Sequence, residues 1–294
     1  MRLFRPFDPW KCQRCTCPPK LSLNPYTGCS HGCLYCYASS YIPRFQECRP
    51  KKNLLKRLKS EVQKVRPGTL ISASNSSDPY PPQERGLELT RECISVIKKA
   101  DLRLQIVTKS EIATRDADLL EEMDACVSMT LTTLQSSLSK KLEPGAPLPT
   151  SRLDAMRLLH HRGVPVSARI DPIIPGINLD EIEDLVHAAA IAGARHITSS
   201  TFKARHDSIR RLAMAFPDVT EKLVTSFGDG ERIGTSLCMP METRWCIMER
   251  VCKAALKEGL TFSSCREGFA GHAPSCDGSH LIGIGLIRDK KSQR

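Results

Sequence analysis

The sequence predicts an α/β protein built around a parallel sheet. Three observations carry that prediction. Short apolar runs alternate with segments of helical period along most of the chain, which is the rhythm of parallel strands joined by right-handed crossovers. Glycine or Pro-Gly stands where the periodic segments end, at Pro67-Gly68, Gly163, Gly193 and Gly259. The hydrophobic fraction of 40% over 294 residues is enough for one large core plus a smaller appendage.

In chain order, residues 1–20 read as an irregular extension, because Pro6, Pro9, Pro18 and Pro19 interrupt any ladder. This segment carries Cys12, Cys15 and Cys17. Residues 21–23 are the first predicted strand. A basic amphipathic helix is predicted over 52–65, with Leu54, Leu55, Leu58, Val62 and Val65 on one face. The alternation then predicts strands at 69–74, 102–108, 127–133, 164–170 and 196–202. Between them it predicts helices at 84–100, 115–124, 151–162 and 180–192. Ser151 with Asp154 has the spacing of a capping box at the start of the third of these helices. Beyond residue 205 the pattern turns helical, with predicted helices at 207–215, 219–227 and 242–258. A last short strand is predicted at 261–264, followed by a Cys/Gly/His-rich tail and a polar end at 289–294. The expected organisation is therefore an extension (1–20), a core (21–205) and a C-terminal helical region (206–294). Six strands make either a partial barrel or an open doubly wound sheet, and periodicity does not choose between them.

Composition narrows the function. The formal net charge of +11 favours a polyanionic partner, nucleic acid first. Nine basic residues lie between Arg44 and Arg66 against Glu47 and Glu61, a stretch that suits either a solvated helix face or a phosphate-facing one. Aromatics make up only 5% of the chain, so stacking platforms for single-stranded bases are not obvious. No run approaches the ~18 apolar residues of a membrane span, and Met1–Pro6 has no apolar signal core. A cytoplasmic protein is expected. In that compartment fourteen cysteines point to metal or redox chemistry rather than disulfides.

The chemistry concentrates in Asn24–Ala38, where Cys29, Cys33 and Cys36 are separated by three residues and then by two. Three thiolates on one loop can hold three irons of a cubic cluster and leave the fourth iron open. Structural zinc prefers four ligands in spaced pairs, and disulfides need an oxidising compartment. Gly28 and Gly32 suit a loop folded tightly around a bulky group.

This spacing, with Tyr35 just before the third cysteine, resembles the signature of the radical S-adenosylmethionine (SAM) enzymes. Within that superfamily the chain resembles the spore photoproduct lyase-like branch, often labelled DNA repair photolyases. The matching phrases are Asn-Pro-Tyr-Thr-Gly-Cys (24–29), Ser-Asp-Pro-Tyr-Pro-Pro-Gln-Glu (77–84), Val-Thr-Lys-Ser (107–110), Leu-Glu-Pro-Gly-Ala-Pro (142–147) and Pro-Ile-Ile-Pro-Gly (172–176). The resemblance implies a partial (β/α)6 barrel of the TIM type, with a cysteine-bearing N-terminal extension and a mostly helical C-terminal appendage. It also implies a [4Fe–4S] cluster on Cys29, Cys33 and Cys36 that cleaves SAM to a 5′-deoxyadenosyl radical. SAM contacts are implied at Ser77, Asp78, Lys109 and Thr130, with Glu143 and Arg169 as further candidates. Tyr35 and Tyr37 match tyrosines flanking the family's third cluster cysteine and are the candidate catalytic residues. A reductant such as ferredoxin or flavodoxin is implied as partner. Asn75 stands where spore photoproduct lyases carry a hydrogen-donating cysteine, so spore photoproduct repair itself is not expected.

Cys15, Cys17, Cys265 and Cys276 form a second candidate metal set, for zinc or a second iron–sulfur cluster, with Cys12, Cys238, His272 and His280 in reserve. The leading expectation is a radical SAM enzyme acting on DNA or tRNA. The alternatives are radical SAM modification of a small molecule, peptide or protein, and a zinc-dependent nucleic-acid-binding protein without catalysis.

Overall fold

The structure, a computed structural model, describes residues 3–7, 12–74, 76–269, 271 and 273–283. Asn75, His272 and the polar end 289–294 lie outside the described residues.

The chain forms one eight-stranded sheet whose strands lie side by side in chain order. They are β1 (Arg5–Pro6), β2 (Leu21–Leu23), β3 (Leu70–Ala73), β4 (Arg103–Thr108), β5 (Ala125–Thr130), β6 (Val166–Ile173), β7 (Ala194–Thr201) and β8 (Thr261–Ser264). β1 is antiparallel to β2, and every later pairing is parallel. β1 and β8 are the two edges, so the barrel is partial, with a seam between them. β8 therefore extends the sheet from within the C-terminal region, and the helix Met241–Lys257 packs on β7 and β8.

The two faces of the sheet differ in chemistry. Ile71, Leu104, Ile106, Val127, Met129, Val166 and Ala168 belong to the main apolar core. Helices Leu54–Val62 and Leu89–Lys99 bring Leu54, Leu58, Val62, Cys93, Ile94 and Ile97 into that core. Ser72, Gln105, Ser128, Ser167, Thr198 and Ser263 are also buried, which makes the interior of the barrel polar.

The C-terminal tail supplies partners for that interior. Asp277 forms a buried ion pair with Lys20, and Gln105 Nε2 donates to the Asp277 carbonyl at 2.6 Å. Thr198 Oγ1 donates to the Cys276 carbonyl at 3.1 Å. A methyl group on Gly278 would come within 2.9 Å of Ser167 Oγ. His280 meets His196 edge-on at 5.0 Å. The tail thus plugs the barrel.

Several helices differ from the periodicity. The helix expected at 84–100 breaks at Glu88, whose φ is 48°, into Glu84–Leu87 and Leu89–Lys99. The buried Glu84 carboxylate explains the break, because it accepts the Thr90 N–H at 3.0 Å and so caps the second piece. The segment expected at 115–124 is a 3-10 turn, Glu111–Asp116, followed by Ala117–Leu120. The helix expected from Ser151 begins at Pro149, where proline has no N–H to lose. No Ser151–Asp154 box forms there, and Asp154 instead accepts from Arg157 at 2.6 Å. The helix Ser136–Leu142 is too short to show a period.

Candidate active site

The cysteine loop follows β2 directly, at the carboxyl end of the parallel strands where such folds place their chemistry. It is shaped by close backbone approach. Gly28 has φ +81°, and a Cβ there would lie 2.5 Å from the Glu47 carbonyl and 2.6 Å from that of Phe45. A Cβ on Gly145 would fall 2.2 Å from the Ser30 carbonyl, so the 142–147 segment lies directly against the loop. Two arginines fasten these pieces. Arg211, on the helix His206–Ala215, donates to the carbonyls of Leu34 (2.8 Å) and Cys36 (3.0 Å). Arg152, almost fully buried, donates to the carbonyls of Thr130 (3.0 Å) and Pro147 (2.9 Å).

The loop borders a cavity of about 500 Å³. Cys29, Cys33, Cys36, Tyr35, Tyr37, Ser77, Asp78, Lys109, Thr130 and Arg169 all line it, and so do Cys15, Cys17, Cys265 and Cys276. Of the residues singled out from the sequence for these roles, only Glu143 sits behind the wall. Its carboxylate pairs with Arg152, accepts the Thr132 hydroxyl at 2.6 Å and the Tyr35 hydroxyl, and lies 3.7 Å from Lys109 Nζ. Burial works to raise this carboxyl, but Arg152 and Lys109 outweigh it and hold the group at about 2.

Asp78 is also committed to the framework. It accepts from Tyr80 N (2.9 Å), Thr108 Oγ1 (2.7 Å) and Lys109 N (2.8 Å), tying the end of β3 to the end of β4. His31 Nδ1 lies 3.6 Å from the same carboxylate. Burial keeps His31 below its ordinary range, so the ring stays neutral. Tyr37 stacks on Tyr41 at 6.2 Å toward the cavity rim, and the Arg205 guanidinium lies 5.7 Å from the Tyr41 ring centre.

Of the wall formed by Arg169, Asp171, Ser200 and Lys203, only Arg169 was singled out from the sequence. Arg169 pairs with Asp171 at 2.6 Å, and Ser200 Oγ donates to the same carboxylate at 2.6 Å. Lys203 pairs with Glu267 at 2.7 Å. Asp171 and Lys203 each stand one residue past a predicted strand end, the same position that Lys109 takes after the strand 102–108. Arg152 and Arg211 gave no such signal, because arginine on a helix reads as solvated.

The donor set fits an iron–sulfur cluster. Burial is the main influence raising all three loop thiols, and Asp78 adds to it at Cys29, which reaches about 12. These thiols remain protonated until a metal displaces the protons. Among the described residues, no three Cys, His, Asp or Glu side chains converge as a single ion requires. A cubic cluster gives each thiolate its own iron instead. In the same cavity Ser74 Oγ is buried without a hydrogen-bond partner among the described residues, which leaves it available to a ligand. No described helix is long and apolar enough to cross a membrane.

A three-cysteine loop at the mouth of a parallel partial barrel defines a class of enzyme that holds its cofactor in the barrel. The Radical SAM superfamily model matches residues 23–189, and the chain belongs to that superfamily. It is an enzyme, and the family implies a [4Fe–4S] cluster and SAM. An uncharacterised protein of Methanocaldococcus jannaschii is 33% identical over 167 residues, which cover 54% of this chain and 62% of that one. This chain thus spans about three fifths of that relative. The Radical SAM Nalpha-GlyT isomerase of Pseudomonas phage M6 is 23% identical over 253 residues, covering 83% of this chain and 53% of the isomerase. Spore photoproduct lyase, solved with AdoMet and dinucleoside spore photoproduct, superposes with a TM-score of 0.66. The match has 16% identity and covers 83% of this chain and 75% of the lyase. At that identity the likeness shows the fold.

Proposed function

We propose that this enzyme cleaves SAM at a [4Fe–4S] cluster held by Cys29, Cys33 and Cys36 and directs the radical to a nucleic acid, DNA or tRNA, in the manner of a DNA repair photolyase-like lyase or modifying enzyme. The observation that carries the reading is the single cavity shared by the three loop cysteines and the strand-end residues Ser77, Lys109 and Thr130. When bound, the cluster and SAM supply an electron transfer that yields methionine and a 5′-deoxyadenosyl radical.

The protein's part is binding, orientation and exclusion of water. Lys109, held between the Tyr35 ring (5.7 Å) and Glu143, offers a cation to the SAM carboxylate. Ser77 and Thr130 offer hydroxyls. Arg211 and Arg152 keep the loop and the ends of the strands in one geometry. Tyr35 and Tyr37 wall the space between the loop and the substrate side. Ferredoxin or flavodoxin supplies the electron.

A nucleic-acid substrate is supported by charge and shape. Lys52, Lys56, Lys59, Lys64 and Arg66 are exposed around the helix Leu54–Val62. The cavity wall adds Arg5, Arg169, Lys203 and Arg266 near the stacked Tyr37 and Tyr41. The enclosed volume supports the second reading, a small molecule or peptide, because ~300–1,000 Å³ is the range of small-ligand pockets.

Anaerobic reconstitution with iron, sulfide, reductant and SAM tests the first half, with 5′-deoxyadenosine as the expected product. A protein that takes up only zinc and releases no 5′-deoxyadenosine sinks the reading and leaves the non-catalytic nucleic-acid binder. For the second half, binding to DNA and tRNA is measured against salt. Each phosphate contact adds ~0.7–0.9 to the log–log slope, so several contacts give a steep loss of affinity. A flat response moves the substrate to the small-molecule or peptide class.

A further inference from the structure

We infer that an acidic one-electron carrier protein docks on the back of the cysteine loop, on a face built from the loop and the helices Ser136–Leu142 and His206–Ala215. The inference rests on the cluster reading above. The cavity occupies one side of the loop and is the place for SAM and substrate, so a protein donor has to reach the three cysteines from the other side. There the loop comes to the surface. A Cβ on Gly32, next to Cys33, would lie 3.3 Å from the Pro144 ring and 3.9 Å from Gln46 Oε1, and both of those residues are exposed. The two helices frame this spot. Leu34 N donates to the Leu142 carbonyl at 3.0 Å, and Arg211 donates to the carbonyls of Leu34 and Cys36. The helices approach each other where Lys141 Nζ lies 4.5 Å from the centre of the Phe216 ring.

The charge on this face names the kind of partner. Lys140, Lys141 and Arg210 are exposed and form no ion pair among the described residues. The helix Ser136–Leu142 carries no carboxylate. The carboxylates of the flanking segments are already paired, Glu47 with Arg44 (3.3 Å) and Arg49 (3.7 Å), and Asp207 with Arg211 (2.6 Å). Met214, 79% exposed, stands one turn from Arg210 and offers an adaptable apolar contact. Electron-transfer encounters are small, below ~1,200 Å², and depend on complementary charge for steering and orientation. A nucleic acid held here would have its bases outside the cavity, which favours the carrier. In the encounter one electron passes from the carrier's reduced cofactor to the cluster, oxidising the first and reducing the second, and no bond is made or broken.

The first test needs no cluster. Oxidised flavodoxin and oxidised ferredoxin are each titrated calorimetrically into the cluster-free protein at low and high salt. At least one is expected to bind at low salt and to weaken as salt rises. Lys140→Glu combined with Lys141→Glu is expected to weaken that binding ~tenfold or more, whereas Lys56→Glu with Lys59→Glu, on the other basic helix, leaves it unchanged. Both pairs are exposed, and circular dichroism checks their folding. Failure of both carriers to bind, equal affinity of wild type and the first variant, or an equal loss in the second overturns the inference. So does a loss of DNA binding in the first variant as large as its loss of carrier binding, which would assign the face to nucleic acid. In reconstituted protein, carrier-driven 5′-deoxyadenosine formation is expected to slow in the first variant while the dithionite-driven rate, which needs no docking, stays the same. A loss with both reductants in the variant alone overturns the inference, because the lysines would then act on the site itself. If wild type makes no 5′-deoxyadenosine with dithionite, the cluster reading fails and this inference falls with it. Failure of the charge and salt arms alone removes only the docking face.

Discussion

Glu143→Gln is the most informative perturbation of the cavity, because one carboxylate there holds four groups. The substitution keeps the size of the side chain and an acceptor oxygen for Thr132 and Tyr35. It removes the charge that faces Arg152, whose side chain is 1% exposed, and Lys109 at 3.7 Å. Arg152 would keep its bonds to the carbonyls of Thr130 and Pro147 but remain a buried cation without a counter-charge. Breaking a buried pair in this way costs about 3–5 kcal/mol. Against a total stability of ~5–15 kcal/mol the protein still folds, with a midpoint lower by on the order of 10 °C.

Urea unfolding of the cluster-free protein measures this loss, and pH checks its origin. Glu143 is held at about 2 in the fold, against an ordinary value of 4.5. The carboxylate therefore stabilises the folded state fully above 4.5, and this contribution disappears as pH falls toward about 2. Wild type and variant should differ most near neutral pH and converge as pH drops through that window. A difference below about 1 kcal/mol at neutral pH, the worth of an exposed pair, would refute the picture of a dry ion pair behind the wall. SAM binding should weaken in the same variant, because Lys109 loses the group that positions it.

Other predictions bear on the loop. Cys33→Ala should abolish iron loading at the loop and 5′-deoxyadenosine formation, whereas Cys93→Ala, in the helix core, should leave cleavage intact; product assays of both variants decide. Gly28→Ala should prevent cluster loading, because its Cβ would meet two carbonyl oxygens within 2.6 Å. Gly68→Ala, with φ +75° but open space around it, should cost only about 1 kcal/mol in urea unfolding and leave loading unchanged. Arg211→Ala removes two charge-assisted bonds to the loop carbonyls, each worth ~1.5 kcal/mol or more. Iron should then pass to a chelator at least about tenfold faster, and an unchanged rate would mean the loop is held by its own backbone.

The legible parts of this protein are those set by local rules. The ends of β4 and β7 were readable because short apolar runs close abruptly just before Lys109 and Lys203, and the cysteine loop because its ligand spacing is a local geometric demand. Glu88 was not readable as a break, since the break depends on a carboxylate four residues upstream that folds back onto Thr90 N. Arg152 and Arg211 were missed for a related reason: helical period identifies a polar position but not whether backbone carbonyls lie opposite it. The barrel interior is the most instructive case. Fully buried parallel strands usually read as continuous apolar runs, yet Ser72, Gln105, Ser128 and Ser167 are buried in this sheet. In sequence that alternation resembles a strand with one face in water. Buried polar groups need partners, and for Gln105 the partner is Asp277, 172 residues away on a tail with no apolar period. The polar interior and the Cys/Gly/His-rich tail therefore explain each other at two positions, where Gln105 and Thr198 donate to the Asp277 and Cys276 carbonyls of the plug, whereas the Ser128 and Ser167 hydroxyls find no partner among the described residues. The same docking carries Cys276 Sγ to within 3.2 Å of Cys17 Sγ, beside the cavity that the cysteine loop faces.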